Sequence, residues 1–184
     1  MTQVDSATQV GPAGQYPRWL LGIALALPVT LVVVVLIVAA QLRDQPPAPV
    51  QLAEVPAPAA GSADCMRLLA NLPSKLDGAA QGTLQRRTLA VPAPVGAAAW
   101  GEPPVVLRCG LDRPAELTAT ARLLAISGVQ FLELSGPGKG AWVVVDRPAY
   151  IVIDLPSASG SGPLQQIAAV IGATLPQRGV DIPR

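Results

Sequence analysis

The chain has 184 residues, of which 51% are hydrophobic and 14% charged, and its formal net charge is +1. This balance lacks the basic footprint of a nucleic-acid-binding protein, so we expect no nucleic-acid partner. Histidine is absent, which removes the commonest general base and the commonest metal ligand. The two cysteines, Cys65 and Cys109, cannot complete a four-ligand zinc site alone, so we expect no metal and no cofactor.

The hydrophobic residues are concentrated in segment 19–40, WLLGIALALPVTLVVVVLIVAA, which has no charged side chain. At ~1.5 Å per residue a helix of this length spans roughly 33 Å, against a hydrocarbon core of about 30 Å. We interpret it as an uncleaved, single-pass signal-anchor helix, preceded by a flexible cytoplasmic tail at 1–18. A cleaved signal peptide is the alternative, since small residues end the segment, but its apolar region would exceed the usual ~7–15 residues.

Residues 41–61 are rich in proline and alanine and predict an extended spacer. We expect residues 62–184 to form a small extracytoplasmic α+β domain with an antiparallel sheet and one disulfide. A helix is predicted at 64–72, capped by Ser62 and with Met66, Leu69 and Leu72 along one face, and a last helix from Pro163. Strands are predicted at 83–91, 105–109, 129–134, 141–146 and 150–155, with the loop SGPGKG as a hairpin connection.

The two cysteines allow two interpretations. In a small extracytoplasmic domain they are expected to pair, and the loop between them would then stabilise the fold by about 4 kcal/mol in the chain-entropy model. Alternatively, Cys109 is a nucleophile whose thiol pKa is lowered by Arg108. The chain has no histidine to act as its base, and this favours the disulfide.

Five residues are candidates for contact with a ligand or partner: Trp100, Glu102, Arg108, Arg113 and Arg147. The tryptophan is either a core side chain or a binding anchor. The carboxylate is either a solvated loop residue or a general acid, and the arginines are either solvated charges or an anion-binding cluster. We assign no catalytic residue, and enzymatic activity is not expected.

Several segments resemble a known family: CMRLLANLP, AAAWGEPPVVLRCG, GVQFLE and DRPAYIVIDLP. The family is actinobacterial, comprises small single-pass envelope proteins, and is catalogued as domain of unknown function 3515. The resemblance extends over residues 62–176 and places Cys65 and Cys109 at the two cysteine positions of the family, which supports their pairing. It implies a location in the cell envelope and a fold, but no activity.

Together these features predict a membrane-anchored extracytoplasmic domain that acts as a binding or accessory module. Its expected partner is an envelope or membrane protein. The alternative is an envelope enzyme, or a protein that binds lipid or glycan, with the five candidate residues gathered in one cleft.

Overall fold

The computed structural model describes residues 18–43, 47–136 and 139–182. The chain divides into two compact units, Met1–Pro46 and Pro47–Arg184. The first contains helix α1 (Arg18–Arg43), with Pro28 in its interior. Among the residues whose side chains the structure describes, no helix is found that is long and apolar enough to cross a membrane. The predicted tail at 1–18 lies, except for Arg18, outside the described residues.

The second unit is built on an eight-stranded antiparallel sheet in the order β1-β2-β3-β4-β8-β7-β6-β5. This confirms the predicted α+β class with an antiparallel sheet. The strands are β1 (Lys75–Gly78), β2 (Gly82–Arg87), β3 (Ala97–Trp100), β4 (Val105–Leu111), β5 (Leu123–Ile126), β6 (Val129–Gly136), β7 (Lys139–Val144) and β8 (Tyr150–Pro156).

Four of the predicted strands match β4, β6, β7 and β8 to within a few residues. The predicted strand at 83–91 is too long, because β2 ends at Arg87 and the chain then turns to pair Leu89 with Val50 in an isolated parallel bridge. Strands β1, β3 and β5 are not predicted from the sequence. Each has only four residues and is too short for a clear alternation of polar and apolar side chains.

Two helices cover one face of the sheet. Helix α2 (Ala63–Asn71) begins after Ser62, whose hydroxyl accepts a hydrogen bond from the backbone N–H of Cys65. Of the predicted apolar face, Leu72 is buried and Leu69 packs against the core, but Met66 is 58% exposed; Cys65 and Leu68 are buried in addition. Helix α3 (Gly162–Thr174) begins one residue before the predicted start at Pro163 and buries Leu164, Ile167, Ala168 and Ile171.

Alternation along the central strands creates two cores. Leu107 and Cys109 of β4 and Ile153 of β8 belong to the main core, which they share with α2 and α3. Side chains of opposite parity reach the second face, where a smaller cluster contains Leu132, Val143 and Val145, together with Leu117 from the loop between β4 and β5. The central strands therefore pack against a large core on one face and a smaller cluster on part of the other.

Residues 47–61, here called the strap, are part of the folded unit. The backbone N–H of Val50 donates to the carbonyl of Thr88, and the N–H of Ala90 donates back to the carbonyl of Val50, each at 2.9 Å. Further along, the N–H of Ala59 donates to the carbonyl of Gly110 at 3.0 Å. The folded unit thus begins at Pro47 rather than at Ser62, because backbone hydrogen bonds hold a segment that has few large apolar side chains.

Candidate functional site

The two cysteines form a disulfide between α2 and β4. Their Cα atoms are 5.7 Å apart across a sequence separation of 44, and both residues are fully buried. This confirms the predicted disulfide. The nucleophile interpretation of Cys109 is wrong, because its sulfur is oxidised and inaccessible.

Trp100 is a core side chain. It is 0% exposed, and its indole Nε1 donates a 2.9 Å hydrogen bond to the carbonyl of Pro73. The guanidinium carbon of Arg86 lies 5.6 Å from the ring centroid, at cation–π distance. Of the two interpretations of Trp100, the structure shows the core one.

Arg147 is buried and paired with its neighbour. Its Nη1 lies 2.8 Å from Oδ2 of Asp146, and its Nη2 donates to the carbonyl of Gly128 at 3.1 Å. The side chains of the pair are 4% and 1% exposed, so neither is available at the surface. Arg147 therefore holds the turn between β5 and β6.

Arg113 holds the C-terminal segment. It donates to the carbonyl oxygens of Asp181 and Leu117. Burial is the main cause that raises the pKa of Tyr150 above its ordinary value; the charge of Asp181 raises it further, whereas the charge of Arg113 and a hydrogen bond from it act in the opposite direction. The polar groups of Arg113, Tyr150 and Asp181 therefore interact with one another within this cluster.

The five predicted contact residues therefore do not share one cleft. Glu102 is 74% exposed and forms an ion pair with Arg87 at 2.8 Å, beside the strap. Arg108 borders a groove that the strap lines on one side. The remaining three residues are engaged in the core or in holding loops.

Strand register places two arginines on the second face of the sheet. Arg87 pairs with Ala99, Ala99 with Val106, and Val106 with Asp154, and residues paired across strands point to the same face. Arg108 follows Val106 by two residues and points the same way. Arg87, Arg108 and Asp154 therefore lie on one side of the sheet, opposite the helices.

The groove is an open concavity of about 420 Å³ on this second face. Its walls are strap residues 51–53, the prolines at 103–104 and residues 156–158, and its floor contains Val106, Arg108 and Asp154. Apolar walls with a small number of polar groups are typical of binding sites.

An ion pair forms the polar part of the floor. Nη1 of Arg108 donates to Oδ2 of Asp154 at 2.8 Å, and the side chains are 15% and 28% exposed. Nε of Arg108 is buried and has no hydrogen-bond partner among the described residues. Because the two charges balance, the floor offers hydrogen-bonding groups without a net charge.

Arg87 lies on the same face of the sheet as Arg108 but is not among the five candidate residues. Its Nη1 donates to the carbonyl of Gly101 and to Oε2 of Glu102, both at 2.8 Å, and its Nη2 donates to the carbonyl of Ala48 at 2.7 Å. The dibasic sequence indicates charge alone. Because successive side chains of β2 point to opposite faces of the sheet, Arg86 covers Trp100 while Arg87 faces the strap.

A family model described as "Protein of unknown function (DUF3515)" matches residues 25–180. No curated protein and no solved structure matches the chain. The matched range begins within α1 and contains the disulfide, both arginines of the second face and almost all of the sheet unit.

Proposed function

This chain belongs to the family described as "Protein of unknown function (DUF3515)". We propose that it is a membrane-anchored extracytoplasmic domain that binds a protein partner in the cell envelope. In this proposal residues 1–18 are cytoplasmic, segment 19–40 is the single membrane span, and the sheet unit lies outside the membrane.

The buried disulfide is the observation that carries the proposed location. Disulfides persist in oxidising extracytoplasmic compartments and are rare in the cytosol, where thiols are kept reduced. Cys65 and Cys109 belong to the main core, so their pairing is part of the fold rather than a surface modification. The uncharged segment 19–40 supplies an anchor of sufficient length to keep such a domain at the membrane.

The groove on the second face supports a binding role. It combines mostly apolar walls, in which Gln51 and Ser157 are the polar residues, with the partly buried ion pair between Arg108 and Asp154. Such a surface can exclude water from an apolar contact while fixing the orientation of a polar one. The alternative function, an enzyme or lipid or glycan carrier that uses the five candidate residues together, has no support from their separate positions.

The proposal is tested by crosslinking in native membranes. A photoreactive amino acid is placed at Ala158, an exposed residue of the groove wall, in the full-length protein, and at Leu124 on edge strand β5 as the control. We expect a discrete protein adduct from position 158 that is absent from position 124 and is lost in Arg108→Gln. Equal adducts at both positions, or none at position 158, would contradict the proposal.

A further inference from the structure

We propose that the groove binds the extended backbone of an uncharged, proline-containing peptide segment of the partner. This inference rests on the proposed function for the existence of a protein partner. It adds the chemical class that the groove recognises, and the contacts by which the molecule holds its own strap support it.

The strap shows how an arginine on this face of the sheet holds an extended chain. Arg87 uses one guanidinium nitrogen for the carboxylate of Glu102 and the other for the backbone carbonyl of Ala48. The sequence around this contact is PPAPV, rich in proline and free of charge. Its carbonyls are hydrogen-bond acceptors, and proline contributes no N–H that would need a partner.

Arg108 repeats the arrangement of Arg87 two strands further into the sheet. Its Nη1 is likewise used for a carboxylate, that of Asp154, and its Nη2 makes no hydrogen bond with a described residue. In both arginines Nε is buried and unpartnered. The difference is that no chain segment among the described residues accepts a hydrogen bond from Arg108 in the place that Ala48 takes at Arg87.

The strap wall of the groove also presents unused backbone. Residues 51–53 are exposed or half-buried, and they make no backbone–backbone hydrogen bond with another described residue. A second extended chain beside them would therefore find N–H donors on the strap and guanidinium donors on the floor. Addition of a chain along free backbone is a common mode of peptide recognition.

The floor of the groove has no net charge, and this disfavours the binding of ionic ligands. Asp154 neutralises Arg108 at 2.8 Å, so a phosphate or carboxylate placed in the groove would meet a carboxylate as well as the guanidinium. A peptide carbonyl needs only a donor and brings no charge to be desolvated. The walls contributed by Leu52, Pro104 and Pro156 suit the apolar rings of proline.

The test is a titration of the full-length protein in detergent micelles, in which the backbone amide chemical shifts are monitored by NMR. The probes are acetyl-APPAPA-amide, acetyl-AEEAEA-amide and inorganic phosphate. We expect the uncharged peptide to give saturable shifts at Leu52, Ala53 and Ser157, and the two anionic probes to give none. Arg108→Gln should weaken the peptide by about tenfold, the effect of losing one charge-assisted hydrogen bond, whereas the control Arg122→Gln at an exposed arginine should not.

Because Arg108→Gln leaves Asp154 without its partner, the double variant Arg108→Gln with Asp154→Asn is measured beside it, and both must show the wild-type pattern of shifts outside the groove. Peptide binding that is unchanged in the double variant overturns the proposal. So does the absence of saturable shifts in the wild type, or a response to phosphate in place of the peptide. A protein adduct in membranes without peptide binding would refute this inference alone. Peptide binding without an adduct would refute the envelope partner and leave only the peptide chemistry of the groove.

Discussion

Arg87 is hydrogen bonded through Nη2 to the carbonyl oxygen of Ala48 at 2.7 Å, across a sequence separation of 39. The same side chain holds the carbonyl of Gly101 and the carboxylate of Glu102, and it is only 7% exposed. One arginine therefore fastens the start of the strap to the loop that leads from β3 to β4. This relationship converts a proline-rich segment, typical of a spacer, into a wall of the groove.

Arg87→Ala is expected to release the strap without unfolding the sheet. The amides of Val50 and Ala90, whose hydrogen bonds join the strap to the chain after β2, should lose protection from hydrogen exchange, and the free energy of unfolding should fall by about 1–3 kcal/mol. Arg122→Ala, at an exposed arginine of the loop before β5, is the control. Unchanged exchange at Val50 in Arg87→Ala would show that the strap does not depend on this side chain.

Gly110 is where the strap crosses β4 most closely. Its φ is +88°, and a Cβ there would lie 2.2 Å from the backbone nitrogen of Ala60. Gly110→Ala should therefore destabilise the protein by more than the roughly 1–2 kcal/mol that an L-residue costs in the left-handed region. Gly82→Ala has a similar φ of +63° but nothing within 4 Å, so it measures the backbone cost alone. If urea unfolding showed the same loss of unfolding free energy in both variants, the strap would move away from the added methyl group at little cost.

The disulfide is expected to contribute strongly to stability. Replacing both Cys65 and Cys109 by alanine removes a cross-link between residues separated by 44 positions, for which the chain-entropy model gives about 4 kcal/mol. The measurement is urea unfolding of the variant and of the wild type with and without reductant. A loss below about 1 kcal/mol would contradict the chain-entropy estimate.

Tyr150 should titrate above its ordinary pKa of 10.0, mainly because burial disfavours the phenolate. Removing Arg113, which lowers this pKa, should raise it further in Arg113→Gln, and Asp181→Asn should lower it. The measurement is ultraviolet difference spectroscopy in a Tyr16→Phe background, where Tyr150 is the remaining tyrosine. An unshifted titration in Arg113→Gln would contradict the assignment.

The same shift sets a pH dependence of stability. The folded pKa is higher than the unfolded one, so the folded state retains the proton to a higher pH. The contribution of Tyr150 is fully present below pH 10.0 and is lost as the pH rises through the folded pKa. Unfolding midpoints measured on both sides of that range should fall with pH in Tyr16→Phe and should fall less when Tyr150→Phe is added.

Much of the fold could be predicted from the sequence where a local pattern is strong. The alternation in YIVIDLP and the helical spacing after Pro163 gave β8 and α3 directly. The cysteines were predicted to pair from compartment and family resemblance, and they do. By contrast, β3 is Ala-Ala-Ala-Trp, whose small residues give no clear strand signal although Ala98 and Ala99 are buried beside β4.

The site is harder to predict from the sequence. It depends on which face of the sheet each strand side chain points to, and on contacts between residues far apart in the chain. Arg108 is one of the five candidates, but its partner Asp154 lies 46 residues later, and no local pattern indicates that the two side chains pair. The sequence of the strap predicts a spacer, because its docking uses backbone hydrogen bonds and one guanidinium, none of which leaves a periodic signal.

The most direct test of the account is the side of the membrane on which the sheet unit lies. The native cysteines are paired and buried, so a single reporter cysteine is introduced at Val95, which is 70% exposed, and separately at Ser6 in the N-terminal tail. Intact spheroplasts are treated with a membrane-impermeant maleimide. The account predicts labelling of Val95→Cys in intact spheroplasts and of Ser6→Cys only after lysis. The reverse pattern would place the sheet unit in the cytoplasm and contradict the proposed location.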